Sequence, residues 1–418
     1  MNFLKSIIFT KKNKMNLKTD VIIIGGGVIG LSIGYFLSKN KINTIILEKN
    51  KNFGEINSSR NTEVIHAGIY YKKKTLKSQL CLKGKNYLYE FCKKYNVKHK
   101  KIGKIFLANT NKEIKELEKI INLAKLNGIN DLQEIDSKKL KIIEPNINGK
   151  SGILSPSSGI FDSYDFMQKL LNLFLENDGI FANLTPFLDA EYSDNDFIWK
   201  IKIGGKEPAT VDAKLVVNSA GLDSINLSKK IFPKSTFPIL NPVKGGYLKY
   251  SGKTMINHII YQTFTPGIIK ERVDATPNIN GEVRFGPSVE KTKSIDDFSV
   301  PSNLLDRFIP IIKRIIPNID VSKIHIDQAG IRPKVIYNQN TNPDFLIKWK
   351  NGTPWLDLFG IESPGLTASL GIGEYVLKQV LDGLDKVDTK IDELTYGKTE
   401  IKEVEKKEYK TFKDKYNA

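Results

Sequence analysis

Cysteine is almost missing from this chain: Cys81 and Cys92 are its two, eleven positions apart among 418 residues. A disulfide framework and a cysteine zinc site are thereby excluded, and a reducing compartment fits. Long apolar runs are missing as well. No stretch reaches the ~18 residues that a membrane-crossing helix needs. Arginine is scarce, and no basic stretch is interleaved with aromatic residues, which argues against specific nucleic-acid readout. There is no G-x-S-x-G elbow, no H-E-x-x-H, no C-x-x-C and no Walker A lysine. Acidic pairs such as Asp296-Asp297 read as turn charges, without the separated partner that glycoside chemistry requires.

What is present suits a large globular protein. Hydrophobic residues make up 40% and charged residues 26%, which excludes wholesale disorder. The length predicts two or three domains at roughly 150 residues each, with a core that needs no staples. The net charge of +18 is unevenly placed: eleven lysines and one acid, Glu90, fall between Lys72 and Lys101. Residues 1–18 add five lysines and no acid. Such a field attracts anionic substrates, anionic membranes or nucleic acid; the same lysines also suit solvated faces of a chain rich in Lys, Asn and Ile. The apolar stretch at the N-terminus is short, precedes its lysines and lacks a small-residue cleavage site. It reads as a basic extension, with Met15 an alternative start, and not as a signal peptide.

The chemistry begins after residue 19. Val21-Ile22-Ile23-Ile24 is a buried-strand pattern, stopped by Gly25-Gly26-Gly27-Val28-Ile29-Gly30. A helical stripe at Ile29, Ile33, Phe36 and Leu37 follows, then a second strand, Thr44–Leu47, closed by Glu48. This is a βαβ unit carrying G-x-G-x-x-G. In such a unit Gly25 allows the tight turn, Gly27 the approach of a pyrophosphate and Gly30 the close packing of helix on strand. Helix N–H groups favour the pyrophosphate, and Glu48 suits an adenosine ribose while repelling a 2′-phosphate. NAD and FAD both remain open on this motif. Further helices are expected over 111–127, 163–177, 304–315 and 366–381, a strand meander over 186–217, and a β-rich section over 241–290. From Glu400 on, the chain is charged and of low complexity.

Residues 57–71, Asn-Ser-Ser-Arg-Asn-Thr-Glu-Val-Ile-His-Ala-Gly-Ile-Tyr-Tyr, carry a resemblance. They resemble the S-S-R-N-S-x-V-I-H-A-G-I-Y-Y stretch of L-2-hydroxyglutarate dehydrogenases, in the flavin-dependent D-amino-acid-oxidase-like superfamily. Later blocks agree in order: Gly159–Asp162, Val216–Gly221, Pro242–Gly245, Glu282–Pro287, Ala329–Lys334 and Gly360–Thr367. The likeness spans roughly residues 19–385. It departs where Arg272-Val273-Asp274-Ala275-Thr276 replaces a pattern with histidine at the position of Asp274, and where Lys244 replaces a common arginine. Either change can alter the preferred acid.

The resemblance implies FAD as cofactor and an α/β fold. A Rossmann-like FAD-binding domain with a parallel sheet is expected from 19–90, 150–240 and 320–398. A mostly antiparallel substrate domain is expected from 91–149 and 241–319, flanked by the 1–18 extension and a 399–418 tail. It further implies oxidation of a small L-2-hydroxy acid, with L-2-hydroxyglutarate first, and electrons passing to a non-NAD acceptor such as quinone. An amino-acid or secondary-amine oxidase is the alternative, and a basic dinucleotide-binding protein docking RNA or membrane is a third reading. A cytoplasmic location is expected, with a peripheral position on the inner face of the membrane as the variant of it. Arg332 would clamp the substrate carboxylate, or else form a structural ion pair, with Lys244 or Arg284 reaching a distal carboxylate. His66 would take the hydroxyl proton or contact the flavin ring, and His258 is the rival base. For the cofactor the expected residues are Gly25, Gly27, Val28, Ile29, Gly30, Glu48, Lys49, Ser58, Ser59, Arg60, Asn61, His66, Ala67 and Gly68. Ser219, Ala220 and Gly221 follow on the returning strand, and Gly365, Leu366 and Thr367 at a helix start whose dipole suits a reduced flavin.

Overall fold

A computed structural model describes residues 17–253, 255–263, 271–340, 343–350 and 352–396. Residues 1–16 of the basic extension and the charged tail lie outside the described residues.

Strand Leu17–Ile24 lies inside a sheet, and its β-branched half, Val21–Ile24, is covered on both faces. It pairs in parallel with Thr44–Leu47 on one side and Ala209–Asn218 on the other, and Thr44–Leu47 pairs in parallel with Ile180–Ala182. The expected meander is present as Phe187–Ser193, Ile198–Ile203 and Ala209–Asn218. The last strand is shared. Its first half closes the meander, and its second half pairs in parallel with Trp355–Phe359. Helices Val28–Lys39, Leu76–Tyr95, Ser163–Glu176 and Gly365–Tyr396 cover one face, around Ile23, Ile46, Leu31, Phe166 and Val376. Asp162 caps its helix as its position suggests, accepting from the N–H of Asp165.

The lysines of the helix Leu76–Tyr95 mask its pattern in the sequence. Its apolar signal was there: Leu80, Gly84, Leu88 and Phe91 face inward, with Cys81 and Cys92 beside them, and Thr75 accepts from the N–H of Ser78 as N-cap. Charge on the outer face does not remove a helical stripe from the inner one.

The second sheet runs through Val243–Tyr250, Val283–Phe285, Ala275–Pro277, Ile259–Gln262, Lys104–Ala108, Ser151–Ser155 and Gln133–Asp136, with Ile324–Arg332 also on Val243–Tyr250. All its pairings are antiparallel except Lys104–Ala108 with Ile259–Gln262. Helix Leu304–Ile315 seals it through Leu304, Phe308, Ile312 and Ile315. Ser151–Ser155 and Ile324–Arg332 were grouped by sequence with the nucleotide-binding unit, yet both pair here. Their partners lie far off in the chain, and no local pattern carries that pairing. A short strand, Val64–Ile65, pairs with Gly159–Phe161 and delivers His66 between the two sheets.

Candidate functional site

Between the sheets lies a cavity of about 700 Å³. At one end its wall is the glycine turn. Gly25 has φ +103°, and a Cβ there would sit 2.8 Å from the Ser219 carbonyl oxygen. A Cβ on Gly30 would sit 2.0 Å from the Gly25 carbonyl oxygen, so the helix reaches the strand only without one. Gly25, Gly27, Val28, Ile29, Glu48, Lys49, Ser58, Arg60, Asn61, Ser219, Ala220 and Gly221 line this wall, and Gly365 and Leu366 line it further along.

Glu48 is nearly buried, and its carboxylate accepts from the backbone N–H of Gly26 at 2.8 Å and of Asn50 at 2.7 Å. It therefore holds the turn in shape and still offers lone pairs to a ribose. Arg60 presents a buried Nε without a hydrogen-bond partner at the wall, beside the ring of Phe298. Asn57, which sequence reasoning passed over, ties this end to the other. Its side chain donates to the carbonyl of Ile331 at 2.6 Å and accepts from the N–H of Ile331 at 3.1 Å.

The far end is made of side chains. His66, Tyr70, Tyr71, Tyr247, Tyr261, Arg272, Asp274, Arg332 and Ser363 converge there. Three of the chain's six arginines, Arg60, Arg272 and Arg332, line this one cavity, whereas lysine dominates the surface. Among the described residues the Arg332 guanidinium has only long contacts, 3.4 and 3.5 Å, to the Ser288 carbonyl, which leaves its fork for a carboxylate. Gly245 makes room for it, since a Cβ there would lie 2.7 Å from Nη2.

His66 is half-buried between two neighbours, Lys104 Nζ at 3.3 Å from Nδ1 and Ser363 Oγ at 3.4 Å from Nε2. Burial, then the positive charges of Lys104 and Arg272, hold the imidazole well below its ordinary pKa. The ring is neutral near pH 7 and able to take a proton. Arg272 and Asp274 pair at 2.9 Å; burial raises the Asp274 carboxyl against the pull of Arg272 and Lys104. Its Oδ1 is buried without a partner.

Several expected residues are elsewhere. His258 Nδ1 lies 2.8 Å from the buried Glu144, whose Oε1 also accepts from the N–H of His258, so this ring is a structural partner outside the cavity. Lys244 pairs with Asp297 at 2.8 Å, and Arg284 with Asp327 at 2.5 Å while donating to the Asn61 carbonyl; both ion pairs pull their cations away from the cavity lining. Ser59 donates to the Gly54 carbonyl, Ala67 packs in a core beside Phe106, and Gly68 backs onto Leu82. Gly30 is packed against Gly25 rather than exposed to the cavity. Thr367 is a clamp: its hydroxyl donates to the Val64 carbonyl and accepts from the N–H of His66, both at 3.1 Å, fixing the histidine peptide to the helix start.

Sequence reasoning missed Lys104 altogether. It is 1% exposed on its strand, and burial, partly offset by Asp274, draws its ammonium down to about 7. Nothing in the pattern Ile102-Gly103-Lys104-Ile105 separates it from its exposed neighbours in the lysine cluster. Tyr261, whose ring centroid lies 3.9 Å from Lys104 Nζ, was missed for the same reason: only the paired strands bring it there.

The family model for FAD-dependent oxidoreductases of the DAO type matches residues 20–379. The chain belongs to that family. It is an FAD-dependent oxidoreductase, and FAD is its cofactor. Among curated relatives, the mitochondrial L-2-hydroxyglutarate dehydrogenase of Arabidopsis thaliana is 32% identical, over 87% of this chain and 84% of its own. A glycerol 3-phosphate dehydrogenase of Caloramator mitchellensis is 30% identical, over 89% of this chain and 75% of its own. The fold matches that of L-α-glycerophosphate oxidase from Mycoplasma pneumoniae with FAD bound, with a TM-score of 0.79, 22% identity and coverage of 87% and 95% of the two chains. The cavity fits the cofactor: the turn has no room for side chains, Glu48 stands at the end of the second strand, and Arg60 holds an unpartnered N–H at the wall. No helix among the described residues is long and apolar enough to cross a membrane.

Proposed function

We propose that this FAD-dependent oxidoreductase oxidises a small L-2-hydroxy acid, L-2-hydroxyglutarate first among them, to the 2-oxo acid. The observation that carries the reading is the convergence of a neutral histidine and an arginine with only long contacts on one cavity wall, His66 and Arg332. Arg332 binds the carboxylate and orients the adjacent carbon. His66 takes the hydroxyl proton at Nε2, which the Ser363 hydroxyl helps to aim. Tyr247, Tyr261 and Tyr70 wall the pocket with large apolar rings that exclude water. The bound flavin supplies hydride acceptance, and the protein supplies position and charge.

Arg272 is the residue we assign to the distal carboxylate, in place of Lys244 and Arg284. Asp274 tempers its charge, and the partnerless Oδ1 suits a donor on the substrate. That oxygen also favours the second reading, an amine substrate whose ammonium Asp274 would accept. Electrons would leave to a non-NAD acceptor, with quinone at an anionic membrane the form we propose. Exposed Lys72, Lys73 and Lys74 would make that contact; Lys77, counted with them from sequence, is buried 3.1 Å from Glu362 and adds no surface charge. Unchanged vesicle cosedimentation after neutralising those three lysines would remove this part.

The test is anaerobic addition of substrate to the purified flavoprotein while following the visible flavin band. Rapid bleaching by L-2-hydroxyglutarate is expected. Bleaching by an amine or by glycerol 3-phosphate alone would move the substrate elsewhere.

A further inference from the structure

A base needs a bare lone pair facing its substrate, and in a neutral imidazole only one nitrogen has it. For His66 the choice is set from behind. Ser363 and the cavity lie on the Nε2 side, while Lys104 lies on the Nδ1 side, 3.3 Å away. Lysine is seldom buried unless a carboxylate pairs with it. Lys104 is buried with its Nζ over the Tyr261 ring and its polar contact made to His66.

We propose that Lys104 is the positioning residue of His66, deciding which ring nitrogen carries the proton; the inference rests on His66 being the base of the reaction proposed above. As an ammonium, Lys104 only donates, so Nδ1 accepts and the ring proton sits on Nε2, where it blocks the lone pair. As a neutral amine, Lys104 accepts from Nδ1–H, and Nε2 is bare. Turnover then uses both groups. The substrate O–H bond breaks as Nε2–H forms, and Nδ1–H breaks as a third N–H forms on Lys104. The hydride of the same carbon goes to FAD, the oxidant. The ring ends neutral, and the positive charge rests on Lys104.

The groups around this pair come from four elements. Cys81, on the helix Leu76–Tyr95, lies 3.7 Å from the His66 carbonyl, with burial pushing its thiol up to about 12. Tyr261, on the adjacent strand, is held well above the ordinary phenol by burial. Tyr70, two residues before the segment that leads to that helix, is likewise raised by burial. Arg272 and Asp274 form their ion pair across the site, the first holding its charge against burial because of the second. Lys104, drawn to about 7, is placed to change charge in the working range.

The experiment uses the oxidised holoenzyme with 15N-labelled histidine, without substrate, followed by NMR from about pH 6 to about pH 9. The chain has four histidines, and the His66 signal is the one lost in His66→Asn. The expected result is a change from Nε2–H to Nδ1–H through about pH 7, with kcat/KM rising up to the same pH. In Lys104→Met the tautomer stops responding there, the acidic limb moves below that of an ordinary histidine, and the plateau falls at least about tenfold. Lys104→Arg, cationic at every pH, keeps Nε2–H throughout and lowers kcat about 100-fold or more. A single tautomer across the range in the wild type overturns the proposal, as does an unmoved limb in Lys104→Met. The NMR arm needs no substrate. A tautomer change in a protein that turns over no 2-hydroxy acid would uphold the Lys104–His66 coupling and fail the substrate reading alone.

Discussion

At the cradle end of the cavity the wall is backbone: a turn of glycines, held by a carboxylate that bonds two of its neighbours' N–H groups. At the substrate end the wall is side chains: a histidine, tyrosines, two arginines and an aspartate, brought in from several strands and loops. The first end binds a group of fixed shape, so it needs only the absence of Cβ atoms along a few consecutive residues. The second must match charge and proton position on a particular substrate, and for that each polar group has to be placed by a different strand or loop. Asn57 couples the ends by gripping both backbone polar groups of Ile331, one residue from Arg332. With Arg332 as the carboxylate clamp proposed above, binding of the cofactor and placement of that clamp would share one hydrogen-bonded joint.

If the two ends are built so differently, they should fail differently. The largest effect is expected at the cradle. In Gly30→Val the new Cβ would stand 2.0 Å from the Gly25 carbonyl oxygen, in backbone that cannot step aside. The variant should purify without a visible flavin band and bind added FAD more weakly by about 10³-fold or more, some 4 kcal/mol. Next comes the substrate end. His66→Asn should keep its full flavin absorbance and lose about 10²–10⁴ in kcat, measured by the rate of anaerobic flavin reduction. A colourless His66→Asn protein, or a yellow Gly30→Val protein of normal affinity, would break the division of labour between the ends.

The same contrast explains what could be read in advance. The strand, turn, helix and second strand around Gly25 to Glu48 are local in the chain, so their spacing states their geometry. His66 and Arg332 were legible through the residues flanking them, and both line the cavity. The second cation was not. Lys244 and Arg284 had fitting chemistry, but each meets an acid distant in the chain, Asp297 in a loop and Asp327 on the strand Ile324–Arg332, that sequence spacing does not reveal. His258 likewise meets Glu144 across 114 positions of chain. Arg272, beside Asp274, lines the cavity and is the cation we propose in place of Lys244 and Arg284. Lys104 had no signal at all, because burial of one lysine among many is a property of strand pairing, here with Ile259–Gln262.

The smallest expected effect separates function from stability at that lysine. In the unfolded chain Lys104 holds its proton up to its ordinary 10.5; in the folded protein it holds it only to about 7. Between those values the unfolded state binds more protons, so stability gains with rising pH across that window. Below pH 7 both states are protonated, and the folded protein carries the whole penalty of a buried ammonium. Lys104→Met removes that penalty while filling similar space. It should raise stability at pH 7 by roughly 2 kcal/mol, less than the full linkage value because the contact with the Tyr261 ring is lost. The gain should persist at pH 6 and shrink as pH climbs from 7 towards 10.5, as read from denaturant midpoints at fixed temperature. A variant that is more stable yet slower would mean that the lysine is kept for the proton on His66. A variant that is less stable at every pH would make Lys104 a packing residue, and the substrate end would then owe its charge pattern to Arg272, Asp274 and Arg332 alone.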